Sequence, residues 1–198
     1  MKKLIIILLV VLFIWNFLNN PDKVVLGPGV MVTEIPYQVK TDTSITQTIG
    51  DYTITKLEDF RIKAKILSKK NYSFGREADL SPTDLALGWG KMSDEVILDK
   101  IEISQSGRFY RWRVESFPIP RKEIETHSAN MHLIPTNDSV ANDINRVRKG
   151  EIIEMSGSLV EVISNTDNWY WKSSLTRNDT GAGACELILV ESISVVSP

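Results

Sequence analysis

The stretch at residues 151–164, EIIEMSGSLVEVIS, decides the fold of this chain. Its apolar residues recur at strand spacing, and Gly157 in the middle predicts a bulge or a bend. The stretches 169–175 and 185–195 predict a return strand and a closing strand. Together they predict a small barrel of the OB or SH3-like kind over about residues 137–196.

The chain before this stretch predicts short strands and short helices. Alternating apolar and charged residues over 60–66 indicate a strand with one solvated face. The segments 101–104 and 109–115 predict two strands of a hairpin, joined by a glycine-containing turn. Ser81, which is followed by a proline and an acidic residue, predicts a short helix that ends near Gly88.

Two more helices and one more strand complete the predicted elements. Ser93 begins a helix of one or two turns, and Asn137 or Asp138 begins a longer helix with one apolar stripe. Residues 131–134 predict a short strand. The predicted fold class is therefore mainly β (α+β), with one exported globular domain over residues 51–198 and a few short helices.

The N terminus carries the most apolar stretch, LIIILLVVLFIWNFL at residues 4–18, directly after Lys2 and Lys3. A helix of this length approaches the thickness of a hydrocarbon core, about 30 Å. No small residue that would suit signal-peptide cleavage lies between Leu4 and Leu26, and Gly27 and Gly29 lie well beyond the apolar run. The sequence therefore predicts an uncleaved transmembrane signal anchor over residues 1–20, in preference to a removed signal peptide or a buried core helix.

This anchor determines the predicted localisation and the reach of the domain. Because the two lysines stay in the cytoplasm, we expect a single-pass protein of the inner (cytoplasmic) membrane, with its C-terminal domain periplasmic or extracytoplasmic. The membrane is the first predicted partner, through residues 4–18. Residues 21–50, which Gly27-Pro28-Gly29 interrupts, predict a tether with a span of roughly 30 Å.

Charge and cysteine content exclude some classes of protein. Without the two N-terminal lysines, the 23 Lys and Arg become 21 against 25 Asp and Glu, a net charge of about −4. This balance argues against nucleic acid as a partner, because phosphates require a basic surface. Cys185 is the single cysteine, so the domain has no internal disulfide. No cofactor is predicted from the sequence.

Three side chains carry the chemistry that the sequence offers. Cys185 with a histidine would form a nucleophilic pair if the fold joined them, although a buried, inert thiol is the commoner arrangement. His127 and His132 are close enough in sequence to suggest a pair of metal ligands. A separation of five residues, however, directs their side chains to different sides of a helix or a strand. The sequence therefore predicts no metal site and no catalytic residue. Thiol catalysis by Cys185 and metal binding by His127 and His132 stay open as alternatives.

A binding site is expected where the long irregular segments 73–93, 116–136 and 176–184 converge, because such segments carry polar groups that strands cannot aim. The candidate binding residues are Arg108, Tyr110, His127, Asn130, His132, Arg177 and Asp179.

Four stretches together resemble a known family. They are SPTDLALGWG at 81–90, QSGRFYRW at 105–112, HSANMHLIP at 127–135 and SSLTRNDTGAGACE at 173–186. They resemble uncharacterised bacterial proteins with an N-terminal membrane segment and an exported domain. The resemblance implies a bacterial, envelope-facing protein. Since the family has no assigned activity, the resemblance implies no role for any residue.

The sequence thus favours a non-catalytic, membrane-anchored extracytoplasmic domain that binds a protein partner or a small ligand in the bacterial envelope. The first alternative is a hydrolase or thiol enzyme that uses Cys185 or a metal site at His127 and His132. The second is a structural component of an envelope assembly.

Overall fold

The computed structural model describes residues 23–42, 45–176, 181 and 183–198. This part of the chain is mainly β, as the sequence predicts. The anchor predicted over residues 1–20 lies outside the described residues. Among the residues described, no helix is both long enough and apolar enough to cross a membrane.

The described residues form ten strands, four α-helices and one 3₁₀ helix. The strands are β1 (Tyr37–Lys40), β2 (Thr46–Ile49), β3 (Tyr52–Asn71), β4 (Thr83–Gly88), β5 (Glu102–Ser106), β6 (Phe109–Arg113), β7 (Ser128–Pro135), β8 (Ile152–Ser164), β9 (Tyr170–Lys172) and β10 (Glu186–Val196). The helices are α1 (Arg76–Leu80), α2 (Glu95–Leu98), α3 (Arg121–Thr126) and α4 (Asp138–Arg146), and the 3₁₀ helix is Gly90–Ser93.

Five strands pair in a ring. β3 is antiparallel to β4, β4 is antiparallel to β7, and β7 is parallel to β10. β10 is antiparallel to β8, which returns to β3. β1 and β2 extend the sheet beside β3, β9 extends it beside β8, and β5 pairs with β6 as a separate hairpin. Since β3, β4 and β7 precede residue 137, the ring extends beyond the segment 137–196 in which the sequence predicts the barrel.

The ring encloses the main apolar core. Each of its five strands contributes buried side chains, among them Phe60, Leu85, Met131, Ile153 and Ile188. Helix α4 packs on the same core through its apolar stripe, as predicted. Because successive side chains of a strand point to opposite faces, the residues between these core positions lie on the outside of the ring.

The helix predicted from Ser81 to Gly88 is wrong, because residues 83–88 form β4. All six residues of this strand are buried between β3 and β7. A strand that is buried on both faces does not alternate between apolar and polar residues, so its period is hidden in the sequence. The serine and proline that suggested a helix start instead end the loop before the strand.

The tether predicted over residues 21–50 is also corrected for its described part. β1 and β2 both pair with β3, and Val32 is completely buried in the main core. The backbone N–H groups of Met31 and Val32 both donate to Oγ of Ser93, at 3.0 Å each. This segment is therefore part of the domain rather than a flexible spacer.

Several other predicted elements are confirmed. The two predicted hairpin strands are β5 and β6, and the predicted strand over 131–134 lies within β7. Asn137 caps α4, because its side chain accepts a hydrogen bond from the N–H of Val140 at 3.1 Å. Asp94 caps α2 in the same way, through the N–H of Val96.

Candidate functional site

Asp84 and His132 lie side by side on the outer face of the ring. They are register partners in the pair of β4 and β7, and their chain neighbours Leu85 and Leu133 belong to the core. The two polar side chains therefore point away from the core. Both are nevertheless buried, with 0% of Asp84 and 4% of His132 exposed. Two buried titratable groups in contact require further polar partners.

The carboxylate of Asp84 is the charged centre of this cluster. Its Oδ1 lies 2.9 Å from Nδ1 of His132 and accepts a hydrogen bond of 2.7 Å from Nη1 of Arg108. The imidazole nitrogen is not aligned for a well-directed hydrogen bond, so its contact is mainly electrostatic. Burial opposes the charged imidazole, but Asp84 and then Cys185 outweigh it and raise the pKa of His132 to about 8.

Arg108 reaches the carboxylate from the turn between β5 and β6. The two turn residues, Gly107 and Arg108, both have positive φ values, of 56° and 68°. This pattern is that of a type I′ turn, which is unfavourable for an arginine. Contacts offset the strain: Nη1 donates to the carbonyl oxygen of Ser81 at 2.9 Å, and the guanidinium lies 3.9 Å from the centre of the Tyr72 ring.

Cys185 lies directly before β10 and completes the cluster. Its Sγ is 3.8 Å from Nδ2 of Asn130 and 3.9 Å from the carbonyl oxygen of Arg108. The thiol also contributes to the raised pKa of His132. The order carboxylate, imidazole, thiol is the order of a nucleophilic triad.

A cavity of about 660 Å³ opens beside the half-buried thiol. Residues of β6, α3, the start of β7 and the start of β10 line it, and Cys185 and Asn130 are among them. Tyr110 forms part of the wall and donates its hydroxyl hydrogen to Oγ of Ser128 at 3.1 Å. Burial raises the pKa of Tyr110 to about 12, so it stays a neutral hydrogen-bond donor.

The structure brings four of the predicted binding residues together in this region: Arg108, Tyr110, Asn130 and His132. Two others, Arg177 and Asp179, lie outside the described residues. The cavity draws on two of the three long segments that the sequence expects to converge, around residues 117–130 and 176–186.

His127 lies at a different place, at the end of α3. Its Nδ1 is 3.1 Å from the carbonyl oxygen of Glu123, and its ring centre is 6.3 Å from that of Trp89. His132 instead stacks near Trp171, with ring centres 4.8 Å apart. The structure therefore does not join the two histidines in one site. Within the described ranges, no three His, Cys, Asp or Glu side chains are grouped so that they could hold a metal ion.

The sequence missed Asp84 as a functional residue, since it placed this residue in the first turn of a helix. An acidic residue inside the run TDLALG was the available signal, because the rest of the run suits a buried strand. Tyr72, which packs under Arg108, carried no signal of its own.

Comparisons of the chain with protein-family models, with curated proteins and with solved structures returned no match. The resemblance described for the sequence therefore remains a prediction, and the site must be interpreted from its own geometry.

Proposed function

We propose that this domain is a thiol-dependent hydrolase in which Cys185 is the nucleophile, His132 is the general base and the carboxylate of Asp84 stabilises the imidazolium. One observation carries the proposal: the thiol of Cys185 borders a large cavity and belongs to the same cluster as His132, which contacts the buried carboxylate of Asp84. A nucleophile, a base and a charged group that stabilises the protonated base define this reaction class by their roles.

The proposed substrate carries a leaving group on an acyl carbon. Neutral His132 accepts the thiol proton, and the thiolate attacks the acyl carbon. The bond to the leaving group breaks as His132 returns the proton to that group, and a thioester to Cys185 remains. Water then gives a proton to His132 and attacks the thioester, which releases the carboxylic acid and restores the thiol.

Asn130 adds a donor at the point of attack. Its Nδ2 lies beside the thiol sulfur and donates to the carbonyl oxygen of Arg108 at 3.2 Å, while its Oδ1 accepts from Nε2 of Gln105 at 2.6 Å. These bonds fix the amide group. A fixed amide N–H next to a nucleophile stabilises the negative charge that forms on the attacked carbonyl oxygen.

Alkylation of Cys185 tests the triad. We expect iodoacetamide at about pH 7 to alkylate the wild-type thiol at least about tenfold faster than the thiol of His132→Gln or of Asp84→Asn, because removal of the thiol proton by His132 makes the sulfur a stronger nucleophile. The rate is measured by intact-protein mass spectrometry, which needs no mapping because the chain has one cysteine.

The matched control is His127→Gln, which changes the other histidine and should leave the alkylation rate unchanged. Circular dichroism establishes that each variant is folded. Equal alkylation rates in wild type and folded His132→Gln would overturn the proposal. The cavity would then serve a non-catalytic domain that binds a protein partner or a small ligand, the function that the sequence favours.

We also propose that residues 4–18 anchor the protein in the cytoplasmic membrane and that the domain lies in the periplasm or outside the cell, near an envelope protein partner. The apolar run after Lys2 and Lys3 supports this location. A thiol reagent that cannot cross the cytoplasmic membrane should label Cys185 in intact cells as fully as in lysed cells. Labelling only after lysis would contradict the location.

The five-stranded ring is proposed to be a small barrel of the OB kind. Its closure through β3 and β8 supports this, because the OB-fold is a five-stranded barrel. The position of Asp84 and His132 supports it too, since β4 and β7 are the second and third strands of the ring. That face is the surface on which OB-folds bind their ligands.

A further inference from the structure

The cavity beside Cys185 runs along one edge of a strand. Every residue from Phe109 to Val114 lines it, so residues that belong to both faces of β6 border the same space. Consecutive residues of a strand meet one cavity in this way only where the cavity follows the backbone. Within the part of the chain that the structure describes, β6 pairs with β5 alone, and its second edge faces the cavity.

The hairpin register shows which backbone groups lie on this edge. The two-residue turn makes Ser106 and Phe109 a hydrogen-bonded pair, and hydrogen-bonded pairs alternate with non-bonded ones along an antiparallel ladder. The N–H and C=O groups of Tyr110 and Trp112 therefore point away from β5. Among the described residues, none accepts from or donates to these four groups. They form a row of two donors and two acceptors.

The nucleophile lies at one end of this row. Arg108 directly precedes β6, and its carbonyl oxygen is 3.9 Å from Sγ of Cys185. Asn130, the donor proposed to stabilise the attacked carbonyl, contacts the same carbonyl oxygen. A chain that lay along β6 would thus carry its own backbone past the thiol.

We propose that the substrate of the thiol site is an extended polypeptide, which adds to the open edge of β6 as a further strand and presents one peptide carbonyl to Cys185. This inference rests on the proposed hydrolase and names its substrate class. Strand addition uses main-chain hydrogen bonds for affinity, which is what an unpaired row of N–H and C=O groups offers. The exposed side chains of Arg111 and Arg113 border the same cavity and add positive charge along it.

Peptidyl chloromethyl ketones test the inference on the full chain. When such a reagent alkylates Cys185, the sulfur forms a bond to the methylene carbon of the chloromethyl group. The carbon–chlorine bond breaks, chloride leaves, and the thiol proton passes to His132. The probe is an N-acetyl tetra-alanyl chloromethyl ketone, and the comparison compound is chloroacetone, which carries a similar reactive group without a peptide. We expect the peptide to label Cys185 at least about a hundredfold faster, from several backbone hydrogen bonds.

A set of four peptide probes, each N-methylated at one amide, gives the sharper readout. The amides of an added strand point alternately toward and away from the neighbouring strand. N-methylation at alternate positions should therefore slow labelling by roughly tenfold each, and N-methylation at the intervening positions should leave the rate unchanged.

Each outcome of this experiment decides the inference. An alternating pattern supports strand addition, whereas rates that are equal for all four probes, or equal for peptide and chloroacetone, overturn it. The alkylation of Cys185 by iodoacetamide is measured on the same samples. If alkylation is fast and depends on His132 but the peptide has no effect, the polypeptide substrate is ruled out and the proposed hydrolase stands. If alkylation does not depend on His132, the proposed hydrolase itself is ruled out.

Discussion

Gly157→Ala is expected to prevent the domain from folding, with a loss of more than about 4 kcal/mol in the free energy of unfolding. A Cβ atom at this position would lie 2.1 Å from the carbonyl oxygen of Leu189 and 3.0 Å from its carbonyl carbon. Both atoms belong to the backbone of β10, so neither can move without separating β8 from β10. This pairing closes the ring on the side opposite to β4.

The measurement is thermal and urea unfolding followed by circular dichroism. Ser156→Ala is the matched control, because it changes the neighbouring residue of β8 and removes only a hydrogen bond of 2.8 Å between the exposed hydroxyl groups of Ser156 and Ser192. That loss should stay below about 1 kcal/mol. A Gly157→Ala protein that unfolds at the wild-type urea concentration would show that β8 and β10 do not approach this closely.

Gly157 also shows what the sequence could and could not predict about the sheet. The sequence indicates a bulge or a bend at this glycine, but residues 157–159 of β8 pair in regular register with β3. The register shifts lie in the partner strands, between Lys56 and Glu58 and between Val190 and Ser192. A glycine in a strand signals either a bulge or a close backbone approach, and only the neighbouring strands decide between them.

The strand β4 was hidden for a similar reason. Its burial on both faces depends on β3 and β7, which are distant in sequence, whereas the serine and proline that suggested a helix are local signals. The helix α4 was predictable because its capping residue and its apolar stripe are both local.

The residue types of the candidate site could be predicted from the sequence, but which of these residues lie together could not. The sequence identifies Cys185 and the two histidines as the possible thiol and bases. It does not identify which histidine lies on the strand beside the thiol, because that follows from the parallel register of β7 and β10, which places Glu186 opposite Met131. The choice of His132 over His127 is therefore a property of strand pairing rather than of sequence spacing.

The free energy of unfolding is expected to fall by about 2 kcal/mol as the pH rises from about 6 to about 9, through the titration of His132. Burial disfavours the imidazolium, but Asp84 and Cys185 outweigh it and raise the pKa of His132 in the folded state to about 8, against about 6.5 when unfolded. A raised pKa means that the folded protein holds the proton more tightly. The stabilisation is therefore complete below the unfolded value and is lost as the pH passes through 8.

Urea unfolding at about pH 6 and about pH 9 measures this change, and the informative quantity is the difference between the wild type and each variant. In His132→Gln the pH dependence of the free energy of unfolding that comes from this histidine should disappear. In Asp84→Asn it should shrink, because the carboxylate beside the imidazolium loses its charge. His127→Gln should keep the wild-type pH dependence, since His127 lies outside the cluster. If His132→Gln loses as much stability between the two pH values as the wild type, His132 does not hold its proton through Asp84. The same result would remove the base from the proposed reaction, because the carboxylate would then not stabilise the imidazolium that forms when His132 takes the proton of Cys185.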